Sequence, residues 1–215
     1  MTIVLIVTNT KFLGVIIDDR LNWSNHISSI KTKIAKGIGI IYKAKKLLNE
    51  NTLVTLYYSF VYPYLYYGII AWGKTTSNFL NSLVILQKRV IRIISSATRL
   101  AHTEPLFRRL RLLKLEDIYI LNVMLFMFQI RRGYISLFQD LFTLNSEIHD
   151  HNTRQSAFFH LPIPRLEIRK RSIYYQGPIV WNGLVNEFET LVHLNTFKRN
   201  VKRFLIENEV SFLVY

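Results

Sequence analysis

Cysteine is absent from the 215 residues, which removes disulfides, iron–sulfur clusters and Cys-based zinc sites. Acid is scarce as well: 14 Asp and Glu stand against 28 Lys and Arg, a net charge of +14. No Asp or Glu precedes Asp18, and the next after Asp19 is Glu50. Two-metal phosphoryl or nucleotidyl transfer needs carboxylates converging from more than one element, so Asp18 and Asp19 lack a supporting acid upstream. Also missing are a P-loop, a Gly-x-Gly-x-x-Gly fingerprint and a Gly-x-Ser-x-Gly elbow, because "GIGII" at Gly37 follows a helical period and has no third glycine. The N-terminus has no basic n-region and its apolar run is shorter than a signal-peptide core. Secretion is not expected; an intracellular place, nuclear or cytoplasmic, is.

What the chain does have is apolar material and positive charge. Half of its residues are hydrophobic, enough for a sizeable core and against disorder over most of the length. The basic excess favours anionic partners, either nucleic acid or an acidic membrane surface, with plain solubility as the bland alternative.

"TIVLIV" and "KFLGVII", separated by Thr8, Asn9 and Thr10, have the pattern of a short hairpin whose apolar face needs a covering layer. From Ser24, a good N-cap, Ile27, Ile30, Ile34, Ile38, Ile41 and Leu48 recur on one helical face. Lys36 and Lys43 lie nearly opposite, with Lys33 and Lys46 flanking, so this helix carries one buried stripe and one basic stripe. Leu53 to Trp72 is free of charge over a length that spans a bilayer, yet six tyrosines run through it and Pro63 and Gly68 interrupt it. A buried, Pro-broken helix pair is the expectation there, not a membrane span. "NFLNSLVILQKRVIRIISSATR" gives a second amphipathic helix with Leu80, Leu83, Val84, Ile91 and Ile94 apolar and Lys88, Arg89, Arg92 and Arg99 basic. A short "EPLFRRLRLLKLEDI" helix and a core helix over Ile118 to Ile130 follow. Then comes a polar loop, "TLNSEIHDHNTRQS", the expected internal boundary, and finally a helical "LNTFKRNVKRFLIENE".

Among candidate sites, Asp18 and Asp19 read as a turn after a strand, since strand neighbours point to opposite faces and Asp favours turns. His149, Asp150 and His151 sit close together without a third ligand element and read as a hydrogen-bonding loop; no metal site and no catalytic residue is expected. The remaining signal is distributed over basic helices interleaved with aromatics such as Tyr42, Tyr57, Tyr58, Trp72 and Phe107, most of which are expected in the core.

"KFLGVIIDDRLNWSNHISSIKTKI" resembles the segment just beyond the catalytic palm core in reverse transcriptases of non-LTR (LINE-type, jockey-like) retrotransposons. "LYYSFVYPYLYYGIIAWG", "LQKRVIRII", "HDHNTRQS", and "GPIVWNGL" with "FKRNVKRFL" follow in that family's order, covering nearly all of residues 11 to 215. The resemblance implies a mainly α-helical fragment: a hairpin from the end of the palm over 1–23, a helical thumb-like bundle over 24–145, and a small irregular C-terminal extension over 146–215. It implies a template-primer duplex of RNA and DNA as partner. It places the aromatic-x-Asp-Asp motif and the magnesium of the full-length family outside this chain, so polymerase activity is not expected of it alone. Asp18 and Asp19 match a later, non-catalytic position. Lys36, Lys43, Lys88, Arg89 and Arg92 are the candidate phosphate contacts, as positioning charges and not base readers. A hairpin without its sheet also leaves apolar surface able to associate.

Overall fold

The computed structural model describes residues 8–148, 155–188 and 190–208. Among them the chain forms one two-stranded hairpin and eleven helices, and it packs as two compact units, Met1–Leu115 and Glu116–Tyr215. This division falls at the start of a helix, whereas the polar boundary read from the sequence lies at 145/146.

Strands β1 (Asn9–Phe12) and β2 (Val15–Asp18) pair antiparallel, with Phe12 opposite Val15 and Asn9 opposite Asp18. The turn is therefore Leu13-Gly14, not Thr8-Asn9-Thr10. Both turn residues take left-handed backbone, φ 46° and 85°, as a two-residue turn between twisted strands requires. Glycine fits the second position without strain. Leucine at the first is what hid the turn in the sequence, and the Tyr67 hydroxyl holds it by donating to the Leu13 carbonyl at 2.6 Å. Phe12 and Leu13 at the tip are 63% and 74% exposed.

Helix α1 (Ser24–Ala44) buries Ile27, Ile30, Ile34, Ile38 and Ile41, the expected stripe. Leu48 does not join it; the helix has ended and Leu48 is 40% exposed. Helices α2 (Glu50–Phe60), α3 (Tyr62–Tyr66) and α4 (Ile69–Trp72) divide the uncharged stretch into three pieces instead of a pair. The breaks fall at Val61, just ahead of Pro63 in the first turn of α3, and at Gly68, whose φ of 64° suits glycine. No helix among the described residues is long and apolar enough to cross a membrane. Gly37 explains how α1 and α2 meet: a Cβ there would lie 2.5 Å from the Phe60 carbonyl oxygen, so the "GIGII" glycine serves close packing.

Helix α5 (Ser77–Ile94) packs along α1 and buries Leu83, Gln87, Val90, Ile91 and Ile94. Helix α6 (Glu104–Arg109) is shorter than expected, because the chain leaves it at Leu110 and turns through Arg111 at φ 52°. Inside this unit Gln87 is a buried polar node. Its Nε2 donates to the Tyr57 hydroxyl at 2.9 Å and the Leu113 carbonyl at 3.0 Å, while its Oε1 accepts the Leu115 N–H at 2.9 Å. Burial pushes the Tyr57 hydroxyl's pKa well up from its ordinary value, beyond any role as an acid near neutral pH.

The second unit is built on α7 (Leu115–Arg131), buried along nearly its whole length, the expected core helix. Helices α8 (Asn145–Ile148), α9 (Glu167–Lys170), α10 (Ile173–Leu184) and α11 (Leu194–Glu207) complete it. Phe128 stacks on Phe197 at 4.3 Å between ring centroids, and Phe197 stacks in turn on Trp181 at 6.0 Å. "GPIVWNGL" is a packing motif here. Gly177 lets α10 approach α7, since a Cβ would lie 2.7 Å from the Met127 sulfur. Asn182 grips Phe159 at both backbone groups, accepting its N–H at 3.0 Å and donating to its carbonyl at 2.8 Å.

Candidate nucleic-acid interface

The paired acids separate as strand geometry requires: Asp18 is buried and Asp19 exposed. Beyond β2 the chain takes left-handed backbone at Leu21 (φ 50°) and Trp23 (φ 66°), which turns successive N–H groups inward. The Asp18 carboxylate fills that concavity, accepting from Arg20 at 3.2 Å, Asn22 at 3.0 Å and Trp23 at 2.8 Å. Burial on its own would raise its pKa, but the backbone donors win and hold it below the ordinary carboxylate value. This anchor also corrects the N-cap: Trp23, not Ser24, precedes the first helical residue, and Ser24 instead donates its N–H to the Asn22 side chain at 2.9 Å. His26 completes the joint. Its Nδ1 accepts the Ile16 N–H at 3.3 Å and its ring lies 5.8 Å from that of Trp72. A carboxylate already engaged by three backbone donors, beside one facing solvent, does not fit a magnesium site.

His149, Asp150 and His151 lie outside the described residues. Among the described residues no three His, Asp or Glu side chains gather as a metal site would need.

The five candidate phosphate contacts occupy two helices. Lys36 and Lys43 are exposed on the face of α1 opposite its isoleucine stripe, two turns apart. Lys88 and Arg89 are exposed on the outer face of α5. Arg92, half-buried, is tied down: its Nε donates to the Ala101 carbonyl at 2.9 Å and fixes the chain leaving α5. Nearby, the Lys33 ammonium sits 5.5 Å from the centre of the Tyr64 ring.

Charge divides unevenly between the units. Met1–Leu115 carries 17 Lys and Arg against four Asp and Glu, a net of +13, whereas Glu116–Tyr215 carries 11 against 10, a net of +1. Of the four acids in the first unit, Asp18 is held by backbone. Glu50 pairs in bidentate fashion with Arg109 at 2.7 and 3.1 Å, and Glu104 pairs with Lys114 at 2.9 Å and Arg108 at 3.7 Å. Asp19 is left to balance the rest. The basic faces of α1 and α5 are therefore a positive surface with almost no internal counter-charge, suited to phosphates.

Sequence reasoning did not single out Arg131 and Arg132, which sit with Phe128, Phe158 and Trp181 around a recess of the second unit. An Arg pair closing an apolar helix was the available signal.

The chain is 34% identical over 111 residues to the RNA-directed DNA polymerase from mobile element jockey of Drosophila melanogaster. It is 31% identical over 111 residues to the probable RNA-directed DNA polymerase from transposon X-element of the same species, and 32% to the jockey enzyme of Drosophila funebris. The likeness is to a non-LTR retrotransposon reverse transcriptase region. It takes in 50% of this chain and 12% of each relative, so the chain matches a small part of those polymerases. No family model matches, and no solved structure does.

Proposed function

We propose that this chain contributes template-primer binding to a retrotransposon reverse transcriptase, gripping the phosphate backbone of an RNA–DNA duplex through Lys36, Lys43, Lys88 and Arg89. Arg92 supports them by fixing the end of α5. In this reading residues 1–23 close the palm, 24–145 form a thumb-like domain and 146–215 a C-terminal extension. Phosphoryl transfer falls to no residue of this chain, because the Asp18 carboxylate, half of the one Asp-Asp pair in the sequence, works as a loop anchor. The observation that carries the reading is the +13 charge of the first unit, with three of its four acids engaged away from these cations. Contacts of this kind position a duplex without reading bases.

Fluorescence anisotropy with a labelled RNA–DNA duplex tests it. Affinity falls steeply with salt, and the combined variant Lys36→Gln, Lys43→Gln, Lys88→Gln, Arg89→Gln lowers the steepness of log K against log salt by roughly 0.9 per lost contact, about 3–4 in all. A salt-insensitive affinity, or a slope unchanged in the variant, would sink the proposal.

A further inference from the structure

The second unit contains a recess of about 370 Å³ between the end of α7, the start of the 3-10 turn after α10, and α11. That volume lies within the range of about 300–1,000 Å³ of small-ligand sites. Its inner wall is aromatic: Phe128, Phe197 and Trp181 stack in that order as a nearly buried floor, and Phe158, half-buried beside them, is the ring most open to the recess. Arg131 and Arg132 line it with exposed side chains, and among the described residues no Asp or Glu does. Arg132 is already oriented: its Nη2 donates to the Leu191 carbonyl at 3.0 Å and its guanidinium lies 5.5 Å from the Phe128 ring centre. The unit as a whole is nearly charge-balanced, so the two arginines mark a local preference for anions and not a general one.

An aromatic wall with guanidiniums at its edge matches a flat π-system that carries a negative charge on one side. A nucleotide has that form, since bases of every kind stack on aromatic side chains and arginine recognises phosphate through its planar donor fork. We infer that the recess takes an unpaired nucleotide of RNA or DNA, its base entering beside Phe158 and Trp181 and its phosphate meeting Arg131. This rests on the proposed nucleic-acid role for the identity of the polymer, but it uses a different unit and a different chemistry. The duplex contacts of the first unit are electrostatic; this one needs a base.

The test uses the full chain and labelled pentanucleotides of RNA and of DNA, each beside an abasic pentamer that keeps the phosphates, at a salt level where backbone binding is weak. The chain binds the base-bearing pentamers roughly tenfold more tightly than the abasic ones, the order expected for one stacked base. Arg131→Glu inverts a charge at an exposed position, and Ala157→Trp fills the recess from an exposed rim position without deleting a core side chain. Ala157→Trp brings the ratio close to one, whereas Arg131→Glu weakens base-bearing and abasic pentamers together because both carry the phosphate; far-UV circular dichroism and melting temperature stay unchanged in each. Lys36→Gln with Lys43→Gln weakens base-bearing and abasic pentamers alike and leaves the ratio intact. A ratio near one in the unaltered chain overturns the inference, as does a ratio that survives Ala157→Trp, pentamer binding unchanged by Arg131→Glu, or capture of an acidic peptide in place of the pentamers. Loss of the ratio with duplex binding retained would remove this site alone, and loss of duplex binding with the ratio retained would remove the proposed function alone.

Discussion

The first unit places cations outside and joins its segments through buried polar groups, whereas the second is nearly neutral and packs chiefly through stacked rings, with Gln176 and Asn182 as its polar ties. Gln87, Asp18 and His26 each join two segments of the first unit through directional bonds. In the second, Phe128, Phe197, Trp181 and Phe159 form a continuous aromatic cluster. Buried polar nodes fix which segments meet, because an unmatched donor or acceptor is penalised. Ring clusters supply area and close packing. A surface that must hold a fixed array of charges benefits from the first kind of interior; a recess that admits a flat ligand benefits from the second.

Phe197→Ala tests the aromatic side of this contrast most severely. It removes the ring shared by Phe128, Trp181 and Phe188 and opens a cavity, for an expected loss of about 3–5 kcal/mol. Urea denaturation followed by circular dichroism reads the loss. Duplex affinity, assigned to the other unit, stays within about twofold under conditions where the chain is folded; its collapse would break the separation of roles.

Gln87→Leu tests the polar side. The substitution keeps an apolar side chain of similar reach but orphans the Leu113 carbonyl and the Leu115 N–H, each worth roughly 1–3 kcal/mol when buried without a partner. A destabilisation of about 3 kcal/mol is expected in the same denaturation experiment. A neutral or stabilised variant would mean the node is replaceable by packing, and the contrast between the interiors would lose its meaning.

These two residues also mark how far the sequence could be read. The isoleucine stripe of α1 and the buried length of α7 follow from hydrophobic spacing on helices, while Phe197 lies in a stretch read only as helical. The division of charge between units was present in the sequence too, although only the packing division at Leu115 made it countable. Gln87 was illegible, because its partners lie 26 to 30 residues away and a lone glutamine in an amphipathic helix looks like surface. The Leu13-Gly14 turn and the Trp23 cap were missed because leucine and tryptophan rarely adopt left-handed backbone, and Asp18 is what holds the loop around Trp23. Five residues chosen by helical phase were placed on outward faces in four cases. Arg92, the fifth, found a carbonyl that periodicity cannot foresee.

The smallest effect is a pH dependence confined to the joint of the first unit, and its sign separates His26 from Asp18. His26 is buried, with Nε2 lacking a hydrogen-bond partner, and burial followed by repulsion from Lys33 lowers its pKa below the ordinary 6.5. The unfolded chain therefore takes up a proton first as pH falls. Stability is at its full value above pH 6.5 and declines from there down to the folded pKa, by at most about 1.4 kcal/mol per pH unit. Asp18 acts lower. Its folded pKa lies below the ordinary 3.8, so its contribution is present above that value and is lost as pH falls through the folded pKa. Urea midpoints measured from pH 7.5 to 3 should thus show two separate declines, and His26→Gln should flatten the upper one without touching the lower. A midpoint that is level between pH 6.5 and 5 in the unaltered chain would show that His26 is not held neutral, and the joint would then owe its stability to Asp18 and apolar contact.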